Sequence, residues 1–285
     1  MKVDLVMWSL HGARTGVLEQ IDKVIPKEII NKKIVVVDLP SLSQLNGFKL
    51  RNFYDNGWTV LLNEGQGISE AANTALKQVT TDFFISFEED LLLDPEWWNN
   101  IPKEFQNPKV AVSSGFRLPS KPPYIIKLQE YTLEKYKKKS SNTPFLYGKN
   151  LDNTMYRTAV IRELRGFPTL KVSAGVDNVL AKKIFEAGYI WKVNFDVRSI
   201  HLRRGFWDEV KHYWWYGKCY QELKKSLRNR SDNISSILLR TLFSPIRGVH
   251  IAWKKKSPLI TFAYPLLRFT ICLGILYSFV RRDKN

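Results

Sequence analysis

The chain has 285 residues, 44% of them apolar and 13% aromatic, enough for one large buried core or a domain with an appendage; this composition excludes a disordered chain. Its formal net charge of +17 is concentrated: residues 201–285 hold 17 Lys and Arg against 5 Asp and Glu, a balance of +12, so the tail is drawn to an anionic surface. Cys219 and Cys272 lie far apart and in no metal-ligand spacing, which argues against a disulfide scaffold and fits a reducing compartment.

Residues 1–8 read as a short strand carrying Asp4, not as an apolar leader. From there β-rich runs alternate with helical periodicity. The pattern predicts a strand at 3–8, a helix at about 16–25, a strand at 34–37, a helix at about 42–54 and a strand at 59–62. Ile68, Ala71, Ala72, Ala75, Leu76 and Val79 then fall on one face of a helix. The next strand, Phe83-Phe84-Ile85-Ser86-Phe87, runs straight into Glu88-Glu89-Asp90. Crowded carboxylates raise one another's pKa unless a cation neutralises them, and oxygen ligands of this kind suit Mg²⁺ or Mn²⁺. Strands alternating with crossover helices predict a mostly parallel sheet with ligands at the carboxyl ends of its strands, where these acids lie.

Asp94-Pro95 marks the start of a short helix over 96–105 carrying Trp97 and Trp98, followed by a strand at 110–114. Residues 117–150 are rich in Lys, Pro, Ser and Tyr with weak periodicity and read as a long excursion able to cover a cleft. A helix at about 177–187 groups Val176, Val179, Leu180 and Ile184 on one side and ends at Gly188. Strands at 189–193 and 197–200 lead to His201. Phe206, Trp207, Val210, Tyr213, Trp214 and Gly217 then mark a long amphipathic helix. No internal repeat is present.

The segment 257–280 is 24 residues with one charge, Arg268, flanked by Lys254-Lys255-Lys256 and Arg281-Arg282. At ~1.5 Å per residue it exceeds the ~30 Å hydrocarbon core of a bilayer. Pro258, Pro265 and Arg268 favour instead two shorter interfacial helices broken at Pro265, with cations on anionic lipid; packing on the protein's own core is the plain alternative. A membrane partner is favoured over nucleic acid.

Residues 59–115 resemble the donor half of glycosyltransferase family 2, the GT-A transferases that use nucleotide sugars. The resemblance runs through Asn63-Glu64-Gly65-Gln66-Gly67-Ile68-Ser69, Ala72-Asn73, the acidic triplet, Leu93-Asp94-Pro95-Glu96-Trp97 and Asn107-Pro108-Lys109-Val110-Ala111, in order and spacing. Asn153-Thr154-Met155-Tyr156-Arg157 and Arg162-Glu163-Leu164-Arg165-Gly166-Phe167-Pro168 are similar to the family's next strand and Gly-Gly-Phe turn, with Arg165 in place of one glycine. Val176-Asp177 resembles its Glu-Asp motif. In all, about residues 1–220 are covered.

The resemblance implies an α/β fold: a GT-A, Rossmann-like three-layer α/β/α domain over 1–205, with a nucleotide-sugar half at about 1–115 and an acceptor half at 116–205. Basic amphipathic and hydrophobic helices associated with a membrane would fill 206–285. It further implies a metal held by Asp90, by Glu88 in place of the first aspartate of Asp-x-Asp, and by His201, with Arg203 and Arg204 as alternative phosphate-binding charge. Asp38, Asn63, Gly67, Asn73, Glu88, Glu89 and Arg157 would contact the donor. Asp177 would be the general base for in-line, inverting attack by the acceptor hydroxyl, its helix-terminal position favouring the ionised form. Plainer readings stand beside these. Asp38 is followed by Leu39-Pro40 rather than Asp-Gly and suits a strand-end turn. Asp177 suits an N-cap, His201 a structural histidine, and Arg157 an ion pair with Asp152. Trp207, Trp214, Trp215 and Tyr216 suit packing better than sugar stacking. The processive synthases' Gln-x-x-Arg-Trp is replaced by Tyr213-Trp214-Trp215-Tyr216-Gly217, which implies single transfers.

Together these readings predict a Mg²⁺- or Mn²⁺-dependent transferase at the cytoplasmic face of a membrane. It would move one sugar from a nucleoside-diphosphate sugar to a lipid-linked or cell-envelope glycan acceptor. One rival is a basic binding module that has lost catalysis, with Glu88 as the mark of decay. Another is a nucleotidyltransferase, for which Gly65-x-Gly67 is too short a phosphate loop.

Overall fold

The computed structural model describes residues 1–9, 12–37, 47–137, 149–170, 172, 174–227 and 234–282. They divide into two compact units. The first draws on Met1–Arg117, Ser140–Thr169 and Val176–His201, and the second on Leu118–Lys139, Leu170–Gly175 and Leu202–Asn285. Residues 118–139 and 170–175, placed with the first domain on sequence, thus join the second unit.

The first unit is built on a sheet. Its elements begin with β1 (Val3–Ser9), α1 (Val17–Val24), β2 (Ile30–Val37), α2 (Gly47–Asp55), β3 (Trp58–Leu62), α3 (Gly67–Gln78), β4 (Phe83–Glu88), β5 (Leu91–Leu92) and α4 (Trp97–Asn100). After β6 (Val110–Pro119) come β7 (Thr154–Arg157), α6 (Thr158–Glu163), α7 (Val176–Glu186) and β8 (Ile190–His201). The strands lie in the order β3-β2-β1-β4-β7-β6-β8-β5. β3, β2, β1 and β4 are parallel, as the βαβ pattern predicts, whereas β7 runs antiparallel to β4 and β6, and β5 antiparallel to β8. The sheet is therefore mixed rather than mostly parallel.

β1 is buried along its whole length, as a strand flanked on both sides must be. Its Asp4 is fully buried yet satisfied: the carboxylate accepts the Thr80 and Thr81 amides at 2.6 and 3.1 Å and the Asn31 side chain at 2.8 Å. That acid fastens β1 to β2 and to the start of β4. The helix predicted over 96–105 is broken in two, α4 and a 3₁₀ turn at Pro102–Gln106, because Pro102 has no N–H to continue the α ladder. The two strands predicted at 189–193 and 197–200 are one, β8. Trp191, Val193, Val197, Ser199 and His201 all face inward at a period of two, so the pleat that buries Trp191 also buries His201.

The second unit is helical. It contains α5 (Pro123–Lys137), α8 (Phe206–Lys218), α9 (Tyr220–Leu227), α10 (Ile234–Leu242), α11 (Ser244–Lys254) and α12 (Ile260–Arg282). α5 lies in the stretch read from sequence as a weakly periodic long excursion able to cover a cleft. Its inward face mixes Tyr124 and Tyr131 with Ile125 and Leu128, which thins the aliphatic periodicity. Ile125 and Leu128 pack with Ile251, Ala252, Ile260, Ala263 and Leu267.

α12 is one helix through Pro265, not two broken there. The bond that Pro265 cannot donate leaves the Thr261 carbonyl without its helical partner. α11 closes on that spot through Gly248, where a Cβ would stand 3.1 Å from the Thr261 oxygen and 3.2 Å from Pro265 Cδ. Farther along, α8 and α12 meet glycine to glycine, since a Cβ on Gly217 would lie 2.5 Å from the Ile271 carbonyl oxygen. By length and composition alone, Ile260–Val280 is apolar enough to cross a membrane.

Candidate active site

β4 is buried from Phe84 to Phe87 and emerges only at Glu88, which lies beside Trp8 of β1. The chain turns at Glu89 and Asp90 and reverses into β5, whose Leu91 pairs with His201 at the end of β8. This pairing puts the imidazole over the acids. His201 Nε2 is 2.9 Å from Asp90 Oδ1 and 3.8 Å from Glu88 Oε2. One ligand atom from each of the three residues falls within 4.8 Å of the others. An octahedral cation with bonds of ~2.1 Å holds its neighbouring ligands ~3 Å and its opposed ligands ~4.2 Å apart, so two carboxylates and an imidazole at these separations fit a divalent ion with small movements. Glu89 turns the other way. Its carboxylate accepts the Ser9 hydroxyl and its carbonyl accepts the Arg14 amide at 2.8 Å, tying the end of β1 to the acidic turn.

Two arginines border the acids. Arg14 Nη2 is 3.4 Å from Asp90 Oδ2, and Arg117 Nη1 bridges Glu88 Oε2 at 3.5 Å and Asp152 Oδ1 at 2.9 Å. Asp152 is fully buried, and among the described residues its second oxygen has no hydrogen-bond partner. Its neighbour Asn153 takes φ +58° and accepts Trp97 Nε1 at 2.6 Å and Ser199 Oγ at 2.9 Å, which fixes the backbone that presents Asp152. Asp177, in the first turn of α7, accepts the Asn178 amide at 2.8 Å. Burial pushes its pKa up to about 6, against the lowering pull of the Asn178 amide and Arg117; Asp152 adds to the rise. Burial likewise lowers the Lys149 ammonium to about 8, with Asp177 pulling it back up. Arg117 was not singled out from sequence, and Asp152 only as an ion-pair partner for Arg157. The available signal for Arg117 was a cation directly after the uncharged run Val110 to Phe116, as the acids directly follow Phe83 to Phe87.

The model of the family described as "Glycosyl transferase family 2" matches residues 11–165, more than half of the chain. The chain belongs to that family. Among solved structures, it is similar to the mannosyltransferase PcManGT from Pyrobaculum calidifontis in complex with GDP-Man and Mn²⁺, with 18% identity, a TM-score of 0.58, and 97% of this chain and 75% of that one covered. It is also similar to S. aureus TarS in complex with UDP-GlcNAc, with 14% identity, a TM-score of 0.51, and 99% and 92% covered. Comparison with curated proteins finds no match. The fold is the GT-A fold, and the protein is a glycosyltransferase.

Within this glycosyltransferase the expected donor contacts fall into different places. Glu88, Asp90 and His201 come together, with Glu89 behind them. Asn63 and Gly67 brace each other: Asn63 Nδ2 donates to the Gly67 carbonyl at 3.1 Å, and Gly67 takes φ +78°. Asn73 donates to the Phe167 carbonyl at 3.0 Å and accepts its amide at 2.8 Å, so it holds the turn at Arg165-Gly166-Phe167 rather than facing the acids. Arg157 requires a correction. It pairs with Phe83 at the opposite end of β4 from Glu88. Its guanidinium sits 5.0 Å and 5.7 Å from the Phe83 and Phe105 ring centres and donates to the Val110 and Phe105 carbonyls, a packing role away from the site. The ion pair to Asp152 belongs to Arg117 instead. Arg203 is paired with Glu209 at 3.3 Å. Asp38 lies outside the described residues.

Proposed function

We propose that this glycosyltransferase is a metal-dependent, inverting enzyme that moves a single sugar from a nucleoside-diphosphate sugar to a lipid-linked or cell-envelope glycan at the cytoplasmic face of a membrane. The observation that carries the reading is the convergence of Glu88, Asp90 and His201 at the carboxyl end of β4, where open α/β sheets bind their ligands. Imidazole among the ligands favours Mn²⁺ over the harder Mg²⁺, and the P. calidifontis structure contains Mn²⁺ with GDP-Man. A divalent cation held there supplies charge stabilisation to the diphosphate leaving group.

The chain's own residues do the rest. Arg14 and Arg117 keep the carboxylates of Asp90, Glu88 and Asp152 from repelling one another while no donor is bound. Asp177 takes the proton from the acceptor hydroxyl as it attacks the anomeric carbon opposite the leaving group. A pKa near 6 makes it a stronger base than an ordinary aspartate and still leaves it mostly ionised at neutral pH. The lipid-linked acceptor and the membrane rest on the basic tail and on the apolar α12.

The test is a thermal-shift screen of nucleoside diphosphates and sugar nucleotides with and without Mn²⁺. One donor should raise the midpoint only when metal is present, since a ligand at a hundred times its Kd adds about 2.7 kcal/mol. No shift with any donor would contradict the reading.

A further inference from the structure

The last three helices expose apolar side chains, and α12 carries two apolar stripes, one buried and one exposed. In α12 the buried residues Ile260, Ala263, Leu267, Thr270, Gly274 and Ser278 recur at spacings of three and four. A second stripe, Phe262, Leu266, Phe269, Leu273, Leu276 and Val280, recurs at the same spacings about a third of a helical turn away, and all six are exposed. α11 continues the exposed surface with Ile246, Val249 and Trp253, and α10 with Leu238, Leu239 and Leu242. Trp253 is 81% exposed and Phe262 76%. At ~150–250 Å² per aromatic side chain these two alone present on the order of 300 Å², which is already the size of the largest apolar patch on many monomers. Apolar exposure on this scale is what marks an interaction surface.

Its charge names the occupant. Residues 234–282 contain eight Lys and Arg and no Asp or Glu. The one cation within 257–280, Arg268, is off the exposed stripe and half-buried, so the stripe itself carries no charge. Of the others, Arg240, Lys254, Lys255, Lys256, Arg281 and Arg282 fall in or just after the last turn of a helix, while Arg247 lies over the Tyr264 ring. Between α11 and α12 an open groove of about 790 Å³ is lined by Val249, Ala252, Trp253 and Pro258, with Lys254 and Lys256 beside them. Apolar plane, basic margin and lysine-edged groove together match hydrocarbon, interface and phosphate headgroup.

The packed sides of α12 decide how the surface meets the bilayer. One side packs on α8 through the Gly217–Gly274 crossing and the Trp214–Tyr277 ring pair, and another on α11 through Gly248. α8 carries Asp208, Glu209, Lys211 and Lys218. Were α12 to cross the membrane, those charges would be carried toward hydrocarbon with it. We propose that the outer faces of α10, α11 and α12 form a monotopic docking surface for an anionic phospholipid bilayer, with α12 lying in the interfacial plane. This rests on the membrane association proposed above and adds its geometry.

The full chain should co-sediment with phosphatidylcholine vesicles containing phosphatidylglycerol and bind pure phosphatidylcholine at least tenfold more weakly. Trp253→Glu combined with Phe262→Glu should cut partitioning at least tenfold, with the circular dichroism spectrum and donor turnover retained. Nitroxide labels on Phe262→Cys, Phe269→Cys, Leu273→Cys and Val280→Cys should all report one shallow depth; the native thiols are buried. Depths that pass through the bilayer centre near 269–273 would overturn the in-plane arrangement and leave membrane association standing. A concentration-dependent dimer broken by Phe262→Glu, without vesicle binding, would assign the face to a second copy and overturn the proposal. Vesicle binding without donor turnover would sink the transfer reaction and leave this surface intact.

Discussion

Asp177 is the residue whose environment most directly sets a measurable property. Its folded pKa lies near 6, and only the ionised carboxylate accepts a proton. At saturating Mn²⁺, kcat/KM should be flat above pH 7 and fall tenfold per unit below about 6, because protonation removes the base; a limb at the ordinary aspartate value near 4 would place the base elsewhere. Arg117 tunes that limb. Arg117→Met removes a charge that holds the Asp177 pKa down, so the limb should move up by on the order of one unit. The same change strands Asp152, whose carboxylate is fully buried, and should cost about 3 kcal/mol in urea denaturation. Arg117→Lys should recover part of the stability. A limb that does not move would leave Arg117 a purely structural partner of Asp152.

At the scale of elements, what the sequence shows and hides has a physical pattern. β1 to β4 were legible as short apolar and β-branched runs and α3 by its one periodic buried face, and the acids at the end of β4 were legible because they interrupt such a run. His201 was placed by resemblance alone, yet the period of two through Trp191, Val193, Val197 and Ser199 already assigns it to the inner face of β8. Arg117 and Asp152 could not be paired, since 35 residues separate them and only the β6–β7 register brings them together. Asn63 and Asn73 matched a motif whose local work is to brace turns. The turn after α6 shows a departure from the family with an energetic consequence. Arg165, exposed at φ +62°, stands where the family has glycine. A left-handed non-glycine residue costs about 1 kcal/mol, only partly offset by the stiffer unfolded chain. Arg165→Gly should therefore stabilise the protein by about 0.5 kcal/mol, seen as a higher urea midpoint at unchanged slope; destabilisation would mean that the guanidinium makes a compensating contact.

Over the whole molecule, each unit carries its own part of the account. The mixed sheet gathers carboxylates, imidazole and arginines from β4, β6, β8 and the loops after β1, β4 and β6, which resemblance to a donor-binding half alone could not arrange. The helical unit keeps an apolar plane uncovered and surrounds it with cations. The transfer reaction rests on the chemistry of the first unit's site, and that chemistry turns on a single carboxylate. The most direct measurement is turnover of the donor identified by thermal shift, with Mn²⁺ titrated, in the wild-type chain and in Asp90→Asn. The substitution keeps the shape of the side chain and removes its charge. The account predicts a fall of at least a hundredfold in Mn²⁺-dependent turnover with the melting midpoint within a few degrees of wild type. Turnover equal to wild type, or activity indifferent to Mn²⁺, would contradict it.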